Sequence, residues 1–212
     1  MTPIDLGVLI SGRGSNLQAI LDAIASGELA ARVRVVIANR PKAAGLERAA
    51  AAGVPTQVIG HRKYPDRQSF DAALVETLRA ADVQWVVLAG FMRILTPVFL
   101  DAFPNRVVNI HPALLPSFPG VDAHAQALAY GVRISGCTVH LVNEGVDTGP
   151  ILAQVAVPVR EEDDHDTLAA RILAEEHRLL VATLQRIAQE GVAIEPSAEP
   201  NGRPAVRFGP SP

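Results

Sequence analysis

The chain has 212 residues, of which 49% are hydrophobic and 19% charged, with a formal net charge of −3. This length accommodates one domain with a proper core, and the composition excludes a disordered chain. The slight negative charge argues against a nucleic-acid-binding surface, and no apolar run of about 18 residues offers a transmembrane helix.

Strand-like and helix-like segments alternate from the start. Ile4–Ile10 reads as a buried strand, residues 11–14 as a tight loop, and a helix opens near Ser15 or Asn16 and stops around Gly27. Residues 34–38 form a second expected strand, 45–52 a helix halted by Gly53, and 54–59 a short third strand. Residues 66–81 carry helical periodicity through Phe70, Leu74 and Leu78 and lead into an apolar strand at 83–89. This β-α-β-α-β-α-β order predicts a parallel sheet with right-handed crossovers, an α/β Rossmann-like open sheet that by itself says nothing about chemistry.

The second half has a different grain. A loop at 90–95 and a short helix at 96–103 precede the strand Val107–His111, which breaks at Pro112. Residues 112–120 contain three prolines and should form a stiff, irregular loop. A helix is expected at 122–130, and strands at 134–142 and 151–159, separated by a turn-rich segment, should pair antiparallel. The C-terminal half is therefore mixed where the N-terminal half is parallel. A long amphipathic helix follows at 166–189, and the tail at 196–212, rich in proline and glycine, is expected to be flexible in part. We read residues 1–195 as a single domain, with a phosphate-binding half at 1–105 and a catalytic half at 106–195.

Three constellations could carry chemistry. Side chains alternate along a strand, so Asn109 and His111 share one face of a strand end, where open α/β sheets bind ligands. An amide and an imidazole there can donate hydrogen bonds to a developing oxyanion, and the imidazole can supply a proton. In Ser11-Gly12-Arg13-Gly14-Ser15-Asn16, glycines between a strand and a helix N-terminus expose backbone N–H groups to an anion. Leu17 stands where a dinucleotide fingerprint wants a third glycine, so a monophosphate is the better guess. A histidine that must stay protonated needs a carboxylate beside it, and Asp147, Asp122 and Glu144 are all candidates. His111, His124 and His140 lack HExxH or CxxC spacing, so no metal is expected, and no G-x-S-x-G elbow is present.

The absence of a basic, then apolar, N-terminal stretch reads as no signal peptide. A single cysteine, Cys137, cannot form an internal disulfide and fits a reducing cytoplasm as a small buried hydrophobe.

These pieces resemble the phosphoribosylglycinamide formyltransferase family, folate-dependent enzymes of purine biosynthesis, over nearly the whole chain. The matching segments are Ile10–Gln18, Gly45–Ala49, Val87–Leu95, Asn109–Pro116, Gly136–His140 and Asp147–Pro150, in one order. The resemblance implies formyl transfer from 10-formyltetrahydrofolate, as co-substrate, to the amine of glycinamide ribonucleotide, with no metal. Asn109, His111 and Asp147 match the family's catalytic trio, and Gly14, Ser15 and Asn16 its ribonucleotide phosphate loop. Glu176 matches a residue at the ribonucleotide sugar. Met92, Arg93, Ile94 and Leu95 match the backbone that holds the pterin, and Arg67 a basic residue on the folate side. Arg13 and Leu173 stand where some members carry polar amides near the ribonucleotide.

The implied partners are small molecules, without nucleic acid or membrane, and the oligomer is either a monomer or a homodimer. Two relatives share formyl chemistry, a formyltetrahydrofolate deformylase and a formyltransferase acting on initiator methionyl-tRNA. Each would ordinarily carry a further domain for which this length leaves no room. A non-catalytic nucleotide-binding protein of Rossmann type would leave Asn109, His111 and the Asp147 loop unexplained.

Overall fold

The computed structural model describes residues 3–197 and 202–209. The chain divides into two compact units, one running to Asn109 and the other starting at Ile110, so the division falls inside a strand.

In the first unit, β1 (Ile4–Ile10), β2 (Ala31–Ala38), β3 (Thr56–Val58), β4 (Trp85–Leu88) and β5 (Val107–His111) lie in the order β3-β2-β1-β4-β5. All four pairings are parallel. The crossovers are α1 (Ser15–Ser26), α2 (Gly45–Ala51), α3 (Arg67–Ala80) and the single turn α4 (Pro97–Leu100). The central strands are apolar because both faces are covered; Leu6, Val8, Leu9, Val36, Ile37, Val86 and Val87 are all fully buried. A side chain at Gly7 would run into Leu78 of α3, so a glycine lets that helix lie close. From β1 the chain winds out through β2 to β3, then returns to the other side of β1 for β4 and β5. The carboxyl ends of β1 and β4 therefore flank the crevice where such sheets take ligands.

Differences from the sequence-based expectation lie at element ends. β2 starts at Ala31, not residue 34, because Ala31–Val33 pair with Ile4–Leu6. The strand expected at 83–89 narrows to Trp85–Leu88, between Asp82 (φ 53°) and Gly90 (φ 73°), both left-handed. The helix expected at 96–103 stops after one turn, since Pro104 disfavours helical backbone at Phe103.

In the second unit, β6 (Ile134–Leu141) and β7 (Ile151–Pro158) form the expected antiparallel pair. α5 (Ala123–Tyr130) and α6 (His165–Glu190) accompany them, and Ala127, Cys137, Val157, Leu168 and Ile172 form the core. Cys137 is fully buried, and burial, with the charges of Glu176 and Glu175, pushes its thiol up to about 12. α6 begins at a capping box in which the Asp164 carboxylate accepts from the Thr167 amide. Part of the tail expected to be flexible carries a strand: β9 (Ala205–Phe208) pairs antiparallel with β8 (Val192–Glu195). The Arg186 guanidinium lies 3.9 Å over the Phe208 ring and the Arg207–Glu195 pair closes the hairpin at 2.8 Å.

Candidate active site

At the carboxyl end of β1, the loop turns at Gly14 (φ 71°, ψ 31°), which is also the N-cap of α1. The first helical hydrogen bond runs from the Gln18 amide to the Gly14 carbonyl at 2.9 Å. Amides of the first turn have no earlier helical carbonyl to reach, and the N-cap, being glycine, offers them no side-chain acceptor, with the helix dipole behind them. Glycine is needed at position 14 on two counts: its left-handed backbone, and a Cβ that would stand 2.6 Å from the Gly45 Cα. A cavity of about 240 Å³ opens over this turn, lined by Ser11–Asn16, Arg40, Ala89, Gly90 and Met92. Gly14, Ser15 and Asn16 thus come together with a cation, Arg40, that the sequence reading missed. Arg13 lines the cavity too, and its carbonyl accepts from Arg48 Nε at 2.9 Å.

The Met92–Leu95 segment leaves the end of β4 beside this turn. The Ser11 hydroxyl accepts from the Met92 amide at 2.9 Å, tying the two loops together. Its other end is anchored by buried Asp71, which accepts from the Thr96 amide at 2.6 Å and the Thr96 hydroxyl at 2.7 Å. Burial raises the Asp71 pKa against the opposing effect of those bonds and of the Arg67 and Arg93 charges. Between the anchors, Leu95 is buried while Met92 and Ile94 are 68% and 53% exposed. Two large apolar side chains held out on a braced loop form a surface suited to a flat ring.

β5 brings Asn109 and His111 to one face by the two-residue repeat of a strand. Asn109 pairs in register with Leu88 and is half-buried; His111 is 4% exposed. In the second unit, His111 Nδ1 lies 3.3 Å from Asp147 Oδ2, and His111 Nε2 lies 2.8 Å from the Phe118 carbonyl. Both facing groups can only accept, so the ring meets both when it is the imidazolium. Of the three carboxylates left open by the sequence, Asp147 holds this place. Asp122 instead caps α5 and pairs with His165, and Glu144 is exposed.

Asp147 sits at φ 53° in the β6–β7 connection and is held from several sides. Its Oδ2 accepts from the Gly120 amide at 2.8 Å, and its Oδ1 lies 3.6 Å from His140 Nε2. Arg203, ahead of β9, donates to the Asp147 carbonyl at 2.8 Å and the Gly149 carbonyl at 3.3 Å. A side chain at Gly149 would overlap the Leu141 carbonyl, so the connection can fold back tightly only with glycine there. Burial alone would raise the Asp147 pKa. The His140 bond, the Gly120 amide and the two imidazole charges outweigh it and hold the carboxyl below its ordinary range.

The loop from Pro112 to Asp122 is positioned by buried Thr138, whose hydroxyl donates to the Ala113 carbonyl at 2.6 Å and accepts from the Leu115 amide at 3.1 Å. Gln154 donates to the Leu115 carbonyl and to the same hydroxyl, each at 2.9 Å. Glu176 is buried at 6% exposure, the one carboxylate in the apolar stripe of α6, one turn from both Ile172 and Leu180. Leu173, beside that stripe, is half-buried. Among residues the sequence reading did not assign to the site, His140, Arg203 and Phe118 now join it. Only His140 had a signal, as the end of the Gly136–His140 segment.

The formyl transferase family pattern matches residues 6–184. Phosphoribosylglycinamide formyltransferase of Mycobacterium tuberculosis (strain ATCC 25618 / H37Rv) is 50% identical over 192 residues, covering 91% of this chain and 88% of that protein. The human trifunctional purine biosynthetic protein adenosine-3 is 46% identical over 189 residues, but this chain spans only 19% of its length. A glycinamide ribonucleotide transformylase structure from Symbiobacterium toebii matches with a TM-score of 0.93 at 51% identity, covering 99% of this chain and 95% of that one. A phosphoribosylglycinamide formyltransferase structure from Anaplasma phagocytophilum matches with a TM-score of 0.86 at 40% identity, over 97% and 94% of the two chains. This chain belongs to the formyl transferase family, among its phosphoribosylglycinamide formyltransferases.

Proposed function

We propose that this chain transfers a formyl group from 10-formyltetrahydrofolate to the amine of glycinamide ribonucleotide, giving formylglycinamide ribonucleotide and tetrahydrofolate. The observation that carries the reading is a buried histidine, His111, with a carboxylate at one ring nitrogen and a carbonyl at the other. That arrangement suits a residue whose task is to present a proton at Nε2.

In this mechanism the amine adds to the formyl carbon and negative charge gathers on the formyl oxygen. The Asn109 amide and the His111 Nε2–H donate to that oxygen, and the oxygen takes the place of the Phe118 carbonyl. His111 passes a proton toward the departing folate nitrogen as its bond to carbon breaks. Asp147, ionised at neutral pH, balances the imidazolium and takes up the amine's proton, through water. Interactions that strengthen as charge develops lower the barrier, and the loss of one such donor costs about 10²–10³ in rate. No acyl-enzyme and no metal enters these steps.

Gly14, Ser15 and Asn16 hold the phosphate through backbone amides, with Arg40 adding charge. Glu176 takes the ribose hydroxyls. Met92, Arg93, Ile94 and Leu95 hold the pterin, Asn109 contacts the folate as well, and Arg67 faces the folate's acidic end. The partners are small molecules, and the setting is the cytoplasm; no helix among the described residues is long and apolar enough to cross a membrane.

The test is a single assay with both substrates. Formylated ribonucleotide should appear in step with the loss of 10-formyltetrahydrofolate. Formate release at an equal rate without the ribonucleotide would replace the reading with a deformylase.

A further inference from the structure

Away from the groups assigned to formyl transfer, the first turns of α5 and α6 bring together Asp122, His124 and His165. Among the described residues this is the one trio of histidine, cysteine or acidic side chains whose ligand atoms all lie within 4.8 Å of one another. We propose that these three side chains bind a transition-metal ion of the zinc type, and that the ion pins the end of the Pro112–Asp122 loop to α6. The inference does not depend on the formyl-transfer reading.

The ligand set is the first argument. Two imidazoles and one carboxylate favour zinc, cobalt, nickel or copper over magnesium or calcium, which want oxygen. Zinc bonds of about 2.0–2.2 Å in a tetrahedral site place neighbouring ligand atoms about 3.3 Å apart. Asp122 Oδ1 and His165 Nε2 already stand 3.0 Å apart. The His124 and His165 rings are 5.5 Å apart by centroid and cross at 78°, edge to face, so their nitrogens can converge without stacking.

The groups behind the ligands supply the second. A metal-bound histidine nearly always donates its other ring N–H to a carboxylate or carbonyl. His165 Nδ1 lies 3.2 Å from Asp166 Oδ1, so its outer partner is in place while Nε2 faces Asp122.

The N-termini of two helices by themselves favour an anion. Here Asp122, Asp164 and Asp166 stand at those same ends, and three carboxylates turn the local charge toward a cation. The consequence follows from chain geometry. Asp122 is held at φ 56° two residues after Gly120, whose amide donates to Asp147, and four after Phe118, whose carbonyl meets His111. Gln126 also ties this stretch to α5 by donating to the Pro119 and Val121 carbonyls. An ion at Asp122 would fix the end of that stretch.

The full chain, freed of metal with a chelator, should be titrated with Co²⁺ while its visible d–d absorption is followed, and Zn²⁺ then added. One Co²⁺ per chain with low-coordinate bands that Zn²⁺ abolishes is expected. His124→Ala and His165→Ala, which leave the Asp122 cap intact, should each weaken binding by at least about 100-fold. Asp166→Asn, which touches only the outer partner, should weaken it by about 10–100-fold. Amide exchange at Gly120 and Val121 should slow on adding Zn²⁺ to the parent and not to His165→Ala. Undiminished Co²⁺ binding in both histidine variants, or binding lost only on changing His111 or His140, overturns the site. Unaltered exchange at Gly120 and Val121 in the zinc-loaded parent overturns the pinning.

Discussion

Replacing Asp147 by asparagine keeps the size of the side chain and removes its charge. The carboxylate lies 3.3 Å from His111 Nδ1, and the two side chains are only 12% and 6% exposed, so solvent screens the pair weakly. At an effective dielectric of about 20, a unit pair at that distance is worth about 5 kcal/mol, an upper bound on what the charge contributes to an imidazolium-dependent step. With its oxygen at the Oδ2 position the asparagine can still accept from the Gly120 amide and face His111, but its NH₂ then stands against His140 Nε2 and the negative charge beside His111 is gone. The expected loss in kcat is therefore about 10²–10³-fold, about 3–4 kcal/mol at 1.36 kcal/mol per decade and within that bound. The KM values for both substrates should move only a few-fold, since the lost interaction acts on the transition state. Steady-state formyl transfer on a variant shown to be folded decides it. Retention of kcat within about tenfold would falsify the electrostatic role. Stability gives an independent reading. The folded-state pKa of Asp147 is depressed, so its contribution is fully present above the unfolded value near 3.9 and is lost as pH falls through the folded value. The parent should lose stability from this group on acidification below about pH 4, and the variant should lack that part of the slope.

Gly14→Val forces a left-handed backbone on a β-branched residue and drives a Cβ to within 2.6 Å of Gly45; the KM for the ribonucleotide should rise far more than that for the folate, and equal effects in a folded variant would remove the phosphate from this loop. Ile172→Ala opens a cavity in the core of the second unit and should cost about 2–5 kcal/mol by urea unfolding; a cost below about 1 kcal/mol would mean that α6 is not packed there as described. Thr138→Val keeps the shape but leaves the Leu115 amide and Ala113 carbonyl short of a buried partner. It should cost about 1–3 kcal/mol and lower kcat through a loosened loop, and unchanged stability would contradict the hydrogen-bond assignment.

Much of this was legible in advance, for identifiable reasons. The alternation of strands and helices follows from long apolar repeats, which local chemistry writes into the chain. Gly14 at a strand-to-helix turn and Asn109 two residues before His111 need only a knowledge of backbone period. The carboxylate beside His111 was different. Spacing left Asp122, Glu144 and Asp147 level, and only the family resemblance favoured Asp147. The choice is made by the fold-back of the β6–β7 connection at Gly149, which no local pattern announces. β9 was missed because four alternating residues in a tail of prolines and glycines carry too little signal. Arg203 reaches Asp147 across 56 residues of sequence. The Phe118 contribution is a backbone carbonyl, which any residue type supplies.

That carbonyl bears on how the histidine is kept ready. A buried imidazolium with one unmet N–H would be costly, and a site that waits for substrate must meet it in some other way. Here Phe118 accepts from Nε2 at 2.8 Å, on a loop that also sends the Gly120 amide to Asp147 at 2.8 Å. One short stretch therefore satisfies the acid at one end of the pair and the base at the other. On the proposed mechanism, a formyl oxygen that enters would exchange one acceptor for another at Nε2, so the ground-state gain would be small. As the amine added, that oxygen would become an anion and the same N–H bond would strengthen, while a peptide carbonyl in its place would gain nothing. On this proposal the preference of His111 for the transition state over its resting partner is a difference between a charged and a neutral acceptor.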